Sequence, residues 1–255
     1  MKQLTIVKIG GNVIDDTRSL NKFLLSFSKL QGKKMLVHGG GKLATQLSTQ
    51  LGIEVKMIEG RRITDSQTLK IATMVYAGWI NKSIAAKLTS IHCTSMGMSG
   101  ADLFMIPSEK RKKITIDYGF VGDIIDKKIN TKLLELLLEQ NITPVIAPIT
   151  SDHKGQLLNT NADTIASSLA VALSKEYRVS LIYSFEKDGV LNSEKVIGTI
   201  NPKLYSILKQ ENIIIKGMVP KLDNAFLAIK NGVKEVIIKN SSQLLKQNAG
   251  TRITN

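Results

Sequence analysis

A single cysteine, Cys93, leaves this 255-residue chain without an internal disulfide, and a chain of that kind suits a reducing compartment, the cytosol. No apolar run reaches the roughly 18 residues that a membrane span needs. The opening Met1-Lys2-Gln3 passes straight into a strand pattern and leaves no room for a signal peptide. Aromatic residues make up only 5% of the chain and are not interleaved with the basic ones, so a stacking platform for single-stranded nucleic acid is not indicated. The few histidines, the cysteine and the acids show no metal-site spacing. The signature of a Ser/His/Asp triad is missing too. So is the P-loop, because Gly41-Lys42 runs into Leu43 where a serine or threonine is required. There is no internal repeat, low-complexity stretch or long linker.

What the chain has in excess is positive charge, a formal +14. The lysines are scattered, apart from Lys110-Arg111-Lys112-Lys113, which falls in an expected loop between Pro107 and a strand at Ile114-Thr115-Ile116. Such a surface suits anionic small molecules and points to no nucleic-acid or membrane partner. Hydrophobic residues at 43% allow a sizeable core, and the length fits one large α/β domain or two closely joined lobes.

Strand and helix patterns alternate along the chain, which predicts a mainly parallel sheet with helices on both faces. The organising stretch is Lys8-Ile9-Gly10-Gly11: an apolar β-branched strand that ends in a lysine and two glycines. Glycine backbone can turn N–H groups toward an anion, and Lys8 sets a charge beside them. The layout repeats at Met35-Leu36-Val37, then His38-Gly39-Gly40-Gly41, then a helix with Leu43, Leu47 and Leu51 on one stripe. Two glycine turns at strand ends predict two anion cradles side by side, since ligands of open α/β sheets sit at the carboxyl ends of strands. Each cluster also reads as a plain strand-to-helix turn. Gly39 to Ala44 fits a loose dinucleotide fingerprint with Glu59 as the ribose acid, an alternative that leaves Lys8 and Gly10-Gly11 unexplained.

Further along, Ile53–Ile58 and Arg62–Thr64 predict a hairpin around Gly60, with Arg61 or Arg62 facing a ligand carboxylate. Thr64 or Asp65 caps one long helix to about Ser90. A strand is expected over Ile91–Met96, a loop over Gly97–Asp102, short strands within Ile114–Ile125, a helix over Leu133–Leu138, and an irregular or terminal strand over Thr143–Ile149 because it carries two prolines. Asn159-Thr160-Asn161-Ala162-Asp163 opens a helix with more polar groups than capping requires. Val179–Phe185 and Val236–Ile238 read as core strands, the latter as the last. Lys221 stands in a first helical turn, after Pro220 at the first position, where a cation opposes the macrodipole; it is either solvated or faces a bound anion. His38 and His92 read as structural.

Taken together, Lys8 to Gly11, His38 to Gly41, Gly60-Arg61-Arg62-Ile63-Thr64, Asn159 to Asp163, Gly217 to Lys221 and Gly250-Thr251-Arg252-Ile253 make the chain closely resemble the amino acid kinase family over essentially its whole length. Within that family it resembles the members that phosphorylate the γ-carboxylate of N-acetyl-L-glutamate in arginine biosynthesis. The resemblance implies a three-layer αβα sandwich with a central, mainly parallel sheet, an acylglutamate-binding and dimerisation lobe over residues 1–158 and an ATP lobe over 159–255. It implies a homodimer, and no arginine-linked hexamer, since the added N-terminal helix of such relatives is not seen here. It implies Lys8 and Lys221 as catalytic cations held by Asp163. Gly40, Gly41, Arg62 and Asn159 would bind substrate. Gly10, Gly11, Ser184, Phe185, Lys187, Gly189, Ile214, Ile215, Lys216, Gly217 and Met218 would bind ATP, with Mg²⁺ held mainly by the phosphates and no protein ligand assigned. Two departures stand out: the loop Tyr183 to Leu191 is one residue longer than the family's Thr-Asp-Val-x-Gly-Val-Leu, and Lys216 replaces a common glycine. An N-succinyl substrate and a non-catalytic amino-acid or nucleotide sensor are the alternatives.

Overall fold

The computed structural model describes residues 1–58, 61–214 and 218–255. Strand and helix alternate from the start: β1 (Lys2–Ile9), α1 (Gly11–Asp15), α2 (Thr17–Ser28), β2 (Lys33–His38) and α3 (Gly41–Gln50). A short hairpin of β3 (Met57–Ile58) and β4 (Arg61–Arg62) leads to α4 (Ser66–Thr73), a π-helical stretch (Met74–Ile80) and α5 (Asn81–Ser90). There follow β5 (Ser95–Ser99), β6 (Ser108–Lys110), β7 (Gly122–Ile124), α6 (Thr131–Glu139), β8 (Thr143–Ala147), β9 (Ile149–Ser151) and β10 (Leu157–Asn159). The remainder is α7 (Ala162–Leu173), β11 (Tyr177–Phe185), β12 (Leu191–Asn192), β13 (Lys195–Val196), β14 (Thr199–Ile200), α8 (Pro202–Gln210), α9 (Val219–Lys230), β15 (Glu235–Asn240) and β16 (Thr251–Ile253).

Eight strands join in one sheet, in the order β14-β16-β15-β11-β1-β2-β8-β5. Its central ladders are parallel, and β16 pairs antiparallel with β15. Along β1 the apolar residues alternate as the pleat requires. Leu4 and Ile6 enter a core layer shared with α6, α7, α8 and α9, whereas Val7 and Ile9 enter the opposite layer, built on α2, α4 and α5. The expected three-layer αβα sandwich is therefore present, with the sheet buried on both faces. The carboxyl ends of β1, β2 and β11 share one edge, where the glycine turns lie.

Several local expectations are corrected. Of the segment Ile91–Met96, only Ser95 and Met96 are in a strand. The chain turns at His92 (φ +60°) and the strand is β5, so Gly97, read as loop, is a strand residue. Gly97 is there for room: a Cβ would meet Asn81 Oδ1 at 2.4 Å. The proline-bearing segment is interrupted at Pro148, between β8 and β9, as the expected irregularity implies, but it is not terminal. β8 lies between β2 and β5, and Pro144 is tolerated because its ladder with β2 begins only at Val145. Ile114-Thr115-Ile116 forms no strand; β7 pairs instead with β6, which takes Lys110 out of the basic loop. The long helix is capped by Asp65, which accepts from Thr68 N–H at 2.7 Å, and contains a π-helical turn around Gly78. Val236–Ile238 is not the last core strand, since β16 extends the sheet. Pro220 is the second helical residue of α9, not the first.

Candidate active site

Strand alternation puts Lys8 on the same face of β1 as Leu4 and Ile6, toward α7 and α9. Both helices begin at the carboxyl edge of the sheet. Asn161 caps α7 by accepting from the N–H groups of Asp163 and Thr164, at 2.8 and 3.0 Å. The cap being supplied by Asn161, the Asp163 carboxylate is free for other partners. Its Oδ1 lies 2.7 Å from Lys8 Nζ, and its Oδ2 pairs with Lys221 Nζ from the first turn of α9. The Tyr183 hydroxyl, beside Lys8 on β11, donates to the Asp163 carbonyl at 3.2 Å.

This cluster is mostly removed from water: the side chains of Lys8, Asp163 and Lys221 are 12%, 14% and 23% exposed. Burial pushes the Lys8 ammonium below its usual range, with the Asp163 charge opposing and the Lys221 charge adding to it. Burial would raise Asp163, but the two lysines outweigh it and hold the carboxyl at about 2. Two ammonium groups around one carboxylate leave a net positive centre suited to an anion that carries more charge than one carboxylate.

That centre lines a cleft of about 350 Å³ together with Gly10, Gly11, Asn12, Ser184, Phe185 and Lys42. The Gly10 N–H does not point to a ligand. It donates to the Ser184 carbonyl at 2.9 Å, and a Cβ at Gly10 would lie 3.3 Å from Phe185 Cβ, so this glycine serves the close approach of β1 and β11. Gly11 begins α1. Ser184 Oγ is buried and has no hydrogen-bond partner among the described residues.

A second cleft, about 240 Å³, is lined by Gly39, Gly40, Arg62, Tyr76 and Asn159, and it meets the first at Gly41. Arg62 is 9% exposed; its Nη2 donates to the Gly41 carbonyl at 2.8 Å and to Thr45 Oγ1 at 2.7 Å. Its Nη1 is buried without a partner among the described residues, the state of half a guanidinium fork set for a carboxylate. Asn159 donates to Thr64 Oγ1 at 3.0 Å, which ties the end of β10 to the segment after β4.

The fold thus brings Lys8, Gly10, Gly11, Ser184, Phe185, Asp163 and Lys221 to one cleft and Gly40, Arg62 and Asn159 to the other, with Gly41 in both. Lys187, Gly189, Ile214 and Met218 line neither. Ile214 and Met218 are buried core residues, Met218 at the N-terminal cap of α9, and Gly189 is packed so closely that a Cβ would meet Thr251 Oγ1 at 2.7 Å. Glu59, Gly60, Ile215, Lys216 and Gly217 lie outside the described residues. Lys42, Arg61, Arg111 and Tyr76 line the clefts without having been singled out, apart from Arg61 as the alternative to Arg62. Lys42 carries the signal used for Lys221, a lysine in the first turn of a helix. Arg111 was hidden inside a run of basic residues.

The Amino acid kinase family profile matches residues 3–240. The chain is 53% identical to the acetylglutamate kinase of Cytophaga hutchinsonii, over 96% of this chain and 94% of that protein. It is 47% identical to the acetylglutamate kinase of Parabacteroides distasonis, over 99% and 100%. Among solved structures it is similar to smu.665 from Streptococcus mutans UA159, with a TM-score of 0.82 and 26% identity over 98% of each chain.

Proposed function

The chain belongs to the amino acid kinase family, and we propose that it transfers a phosphoryl group from ATP to the γ-carboxylate of N-acetyl-L-glutamate, a step of arginine biosynthesis. The observation that carries this is the pair of clefts meeting at Gly41, with the Lys8–Asp163–Lys221 centre lining one of them and Arg62 the other.

A γ-carboxylate has an ordinary pKa of about 4.3 and is ionised at neutral pH, so no general base is required. The obstacle is the repulsion between a carboxylate and a triphosphate. Lys8 and Lys221 offset the charge on the transferring phosphoryl group, and Asp163 holds both ammonium groups in place while removing only one unit of charge. The N–H groups of Gly11, Gly40 and Gly41 act as donors to phosphate and carboxylate oxygens. Arg62 Nη1 takes the α-carboxylate, and Asn159 contacts the substrate as well. Ser184 and Phe185 line the nucleotide side, with Lys187, Gly189 and the segment Ile214–Met218 contributing beyond the cleft. Residues 1–158 form the acylglutamate lobe and 159–255 the ATP lobe of one continuous sheet. Mg²⁺, held mainly by the phosphates, neutralises phosphate charge when bound. The enzyme works as a cytoplasmic homodimer.

One observation favours a second substrate. Arg61 and Arg111 border the acylglutamate cleft beside Arg62, and a single α-carboxylate needs only one of the three. An N-succinyl group, whose arm ends in its own carboxylate, gives Arg61 a partner and Arg111 a second one beside Asp123.

Incubating the protein with MgATP and either N-acyl glutamate, and trapping the acyl phosphate with hydroxylamine, tests both readings. Hydroxamate from N-acetyl-L-glutamate is the expected outcome. Signal from the N-succinyl compound alone transfers the proposal to that substrate. ATP binding with no hydroxamate from either would leave a sensor in place of a kinase.

A further inference from the structure

The His38 imidazole, fully buried at the end of β2, belongs to neither cleft. Its surroundings nevertheless determine where its proton sits. Asn81 Nδ2 lies 2.9 Å from the Val145 carbonyl and 3.3 Å from the Met98 carbonyl, as well as 3.0 Å from His38 Nε2. Two carbonyls facing one amide group require that group to be the NH₂ end, because the amide oxygen would repel both. The NH₂ group shares two hydrogens among these three neighbours and has no lone pair to accept an Nε2–H, so the Nε2 that faces it carries the lone pair and the proton is on Nδ1. Nδ1 in turn lies 2.9 Å from the Gly39 carbonyl, which a protonated Nδ1 can meet as donor. Burial independently disfavours the doubly protonated ring, taking its pKa down to about 4.

Gly39 and Gly40 share one trans peptide plane, in which C=O and N–H point in opposite directions. Turning the Gly39 carbonyl inward to His38 turns the Gly40 N–H outward. Gly40 lines the acylglutamate cleft, and its N–H has no partner among the described residues. We propose that His38, locked as the Nδ1–H tautomer by Asn81, is a positioning residue that aims the Gly40 N–H at the reacting carboxylate. The proposal rests on the assignment of this cleft to acylglutamate. A chain of four groups, from the Val145 carbonyl through Asn81 and His38 to Gly39, would then set one donor of the site without touching substrate.

Two substitutions separate positioning from mere packing. The asparagine amide nitrogen occupies the place of imidazole Nδ1, whereas a glutamine amide reaches only the place of Nε2. His38→Asn keeps a donor to the Gly39 carbonyl but opens space and loses the Asn81 contact. His38→Gln fills the pocket and can accept from Asn81, but offers nothing to Gly39. If aiming is the role, His38→Asn keeps kcat within about threefold, and His38→Gln loses at least about tenfold in kcat with little change in KM, since one misaimed donor in such a site costs up to 10²-fold or more. If His38 only fills space, the order reverses and the proposal falls; equal losses overturn it too. Two readouts need no turnover. Nitrogen-15 shifts of the ring must report Nδ1–H and a bare Nε2, and the Gly40 amide proton must move downfield on adding N-acetyl-L-glutamate to wild type and His38→Asn but not to His38→Gln. A ring protonated on Nε2 refutes the proposal even in an active enzyme. Absent turnover with the expected tautomer and amide shift refutes the functional assignment and not the positioning.

Discussion

The Lys8 ammonium lies 2.7 Å from one oxygen of the Asp163 carboxylate, and Lys221 takes the other oxygen. Lys8 ends a strand, Asp163 and Lys221 begin two helices, and the carboxylate is the common point that keeps two like charges within one small volume. In the proposed mechanism, replacing Lys8 or Lys221 by alanine removes one of the two cations that face the transferred phosphoryl group. Each single variant is expected to lose at least about 10²-fold in kcat, the cost of one strong electrostatic donor, while far-ultraviolet circular dichroism stays that of wild type. Steady-state kinetics with saturating MgATP checks this, and near-normal turnover in both variants would sink the mechanism.

Asp163→Asn leaves two buried ammonium groups facing each other, and a broken buried pair costs about 3–5 kcal/mol. The pH dependence carries a sharper expectation. Asp163 titrates at about 2 in the folded chain and near 3.8 when unfolded. A depressed folded pKa contributes stability that is present above about pH 4 and is lost as pH falls toward 2, an effect of about 2 kcal/mol. Urea unfolding across that window should show this loss in wild type and a flatter profile in Asp163→Asn.

Arg62 is the arginine whose Nη2 is tied to Gly41 and Thr45 while Nη1 is left over. Arg62→Lys keeps the charge but loses the fork, so KM for the acylglutamate should rise by about tenfold or more with KM for ATP nearly unchanged. Initial-rate kinetics in both substrates decides it; equal rises for the two would place Arg62 outside the carboxylate role.

Arg111 is braced by Asp123, with Nε 3.0 Å from a carboxylate oxygen, at the second cleft, the one proposed to hold the acylglutamate. Arg111→Ala should leave kcat/KM for N-acetyl-L-glutamate within about threefold, and should lower any kcat/KM for the N-succinyl substrate by about tenfold, the value of one charge-assisted contact. Loss on both substrates alike would make Arg111 a structural support of the rim.

Gly40 has φ +148°, and a Cβ there would lie 2.2 Å from Ile80 Cδ1. Gly40→Ala therefore combines backbone strain of about 1–3 kcal/mol with overpacking. It should lower thermal stability measurably and activity further, whereas Gly39→Ala, whose Cβ meets nothing within 4 Å, should be tolerated in stability.

Periodicity and local chemistry determined much of this protein before any fold was known. The alternation of strands and helices gave the sandwich, because a sheet covered on both faces needs apolar residues on both sides of β1 and stripes on its helices. Glycines after strand ends marked segments that line the two clefts, and the lysine in the first turn of α9 marked a helix start that lines the first of them. Lys42 bears the same mark and was passed over. Glycine misled wherever it answered a distant neighbour: Gly97 stands in a strand because Asn81 presses on it, and Gly10 joins two strands with its N–H already spent. The proline-bearing strand β8 can lie inside the sheet, next to the edge strand β5, because its ladder with β2 starts only at Val145, which no sequence rule specifies. The family resemblance implied that Asp163 holds Lys8 and Lys221, and the tertiary structure shows the two ammonium groups on its two oxygens; only the tertiary structure set Arg111 at the cleft rim and stacked Asn81 behind His38. Those relationships depend on the parallel crossovers that return distant segments to one sheet edge, and sequence spacing carries no distance across such a return.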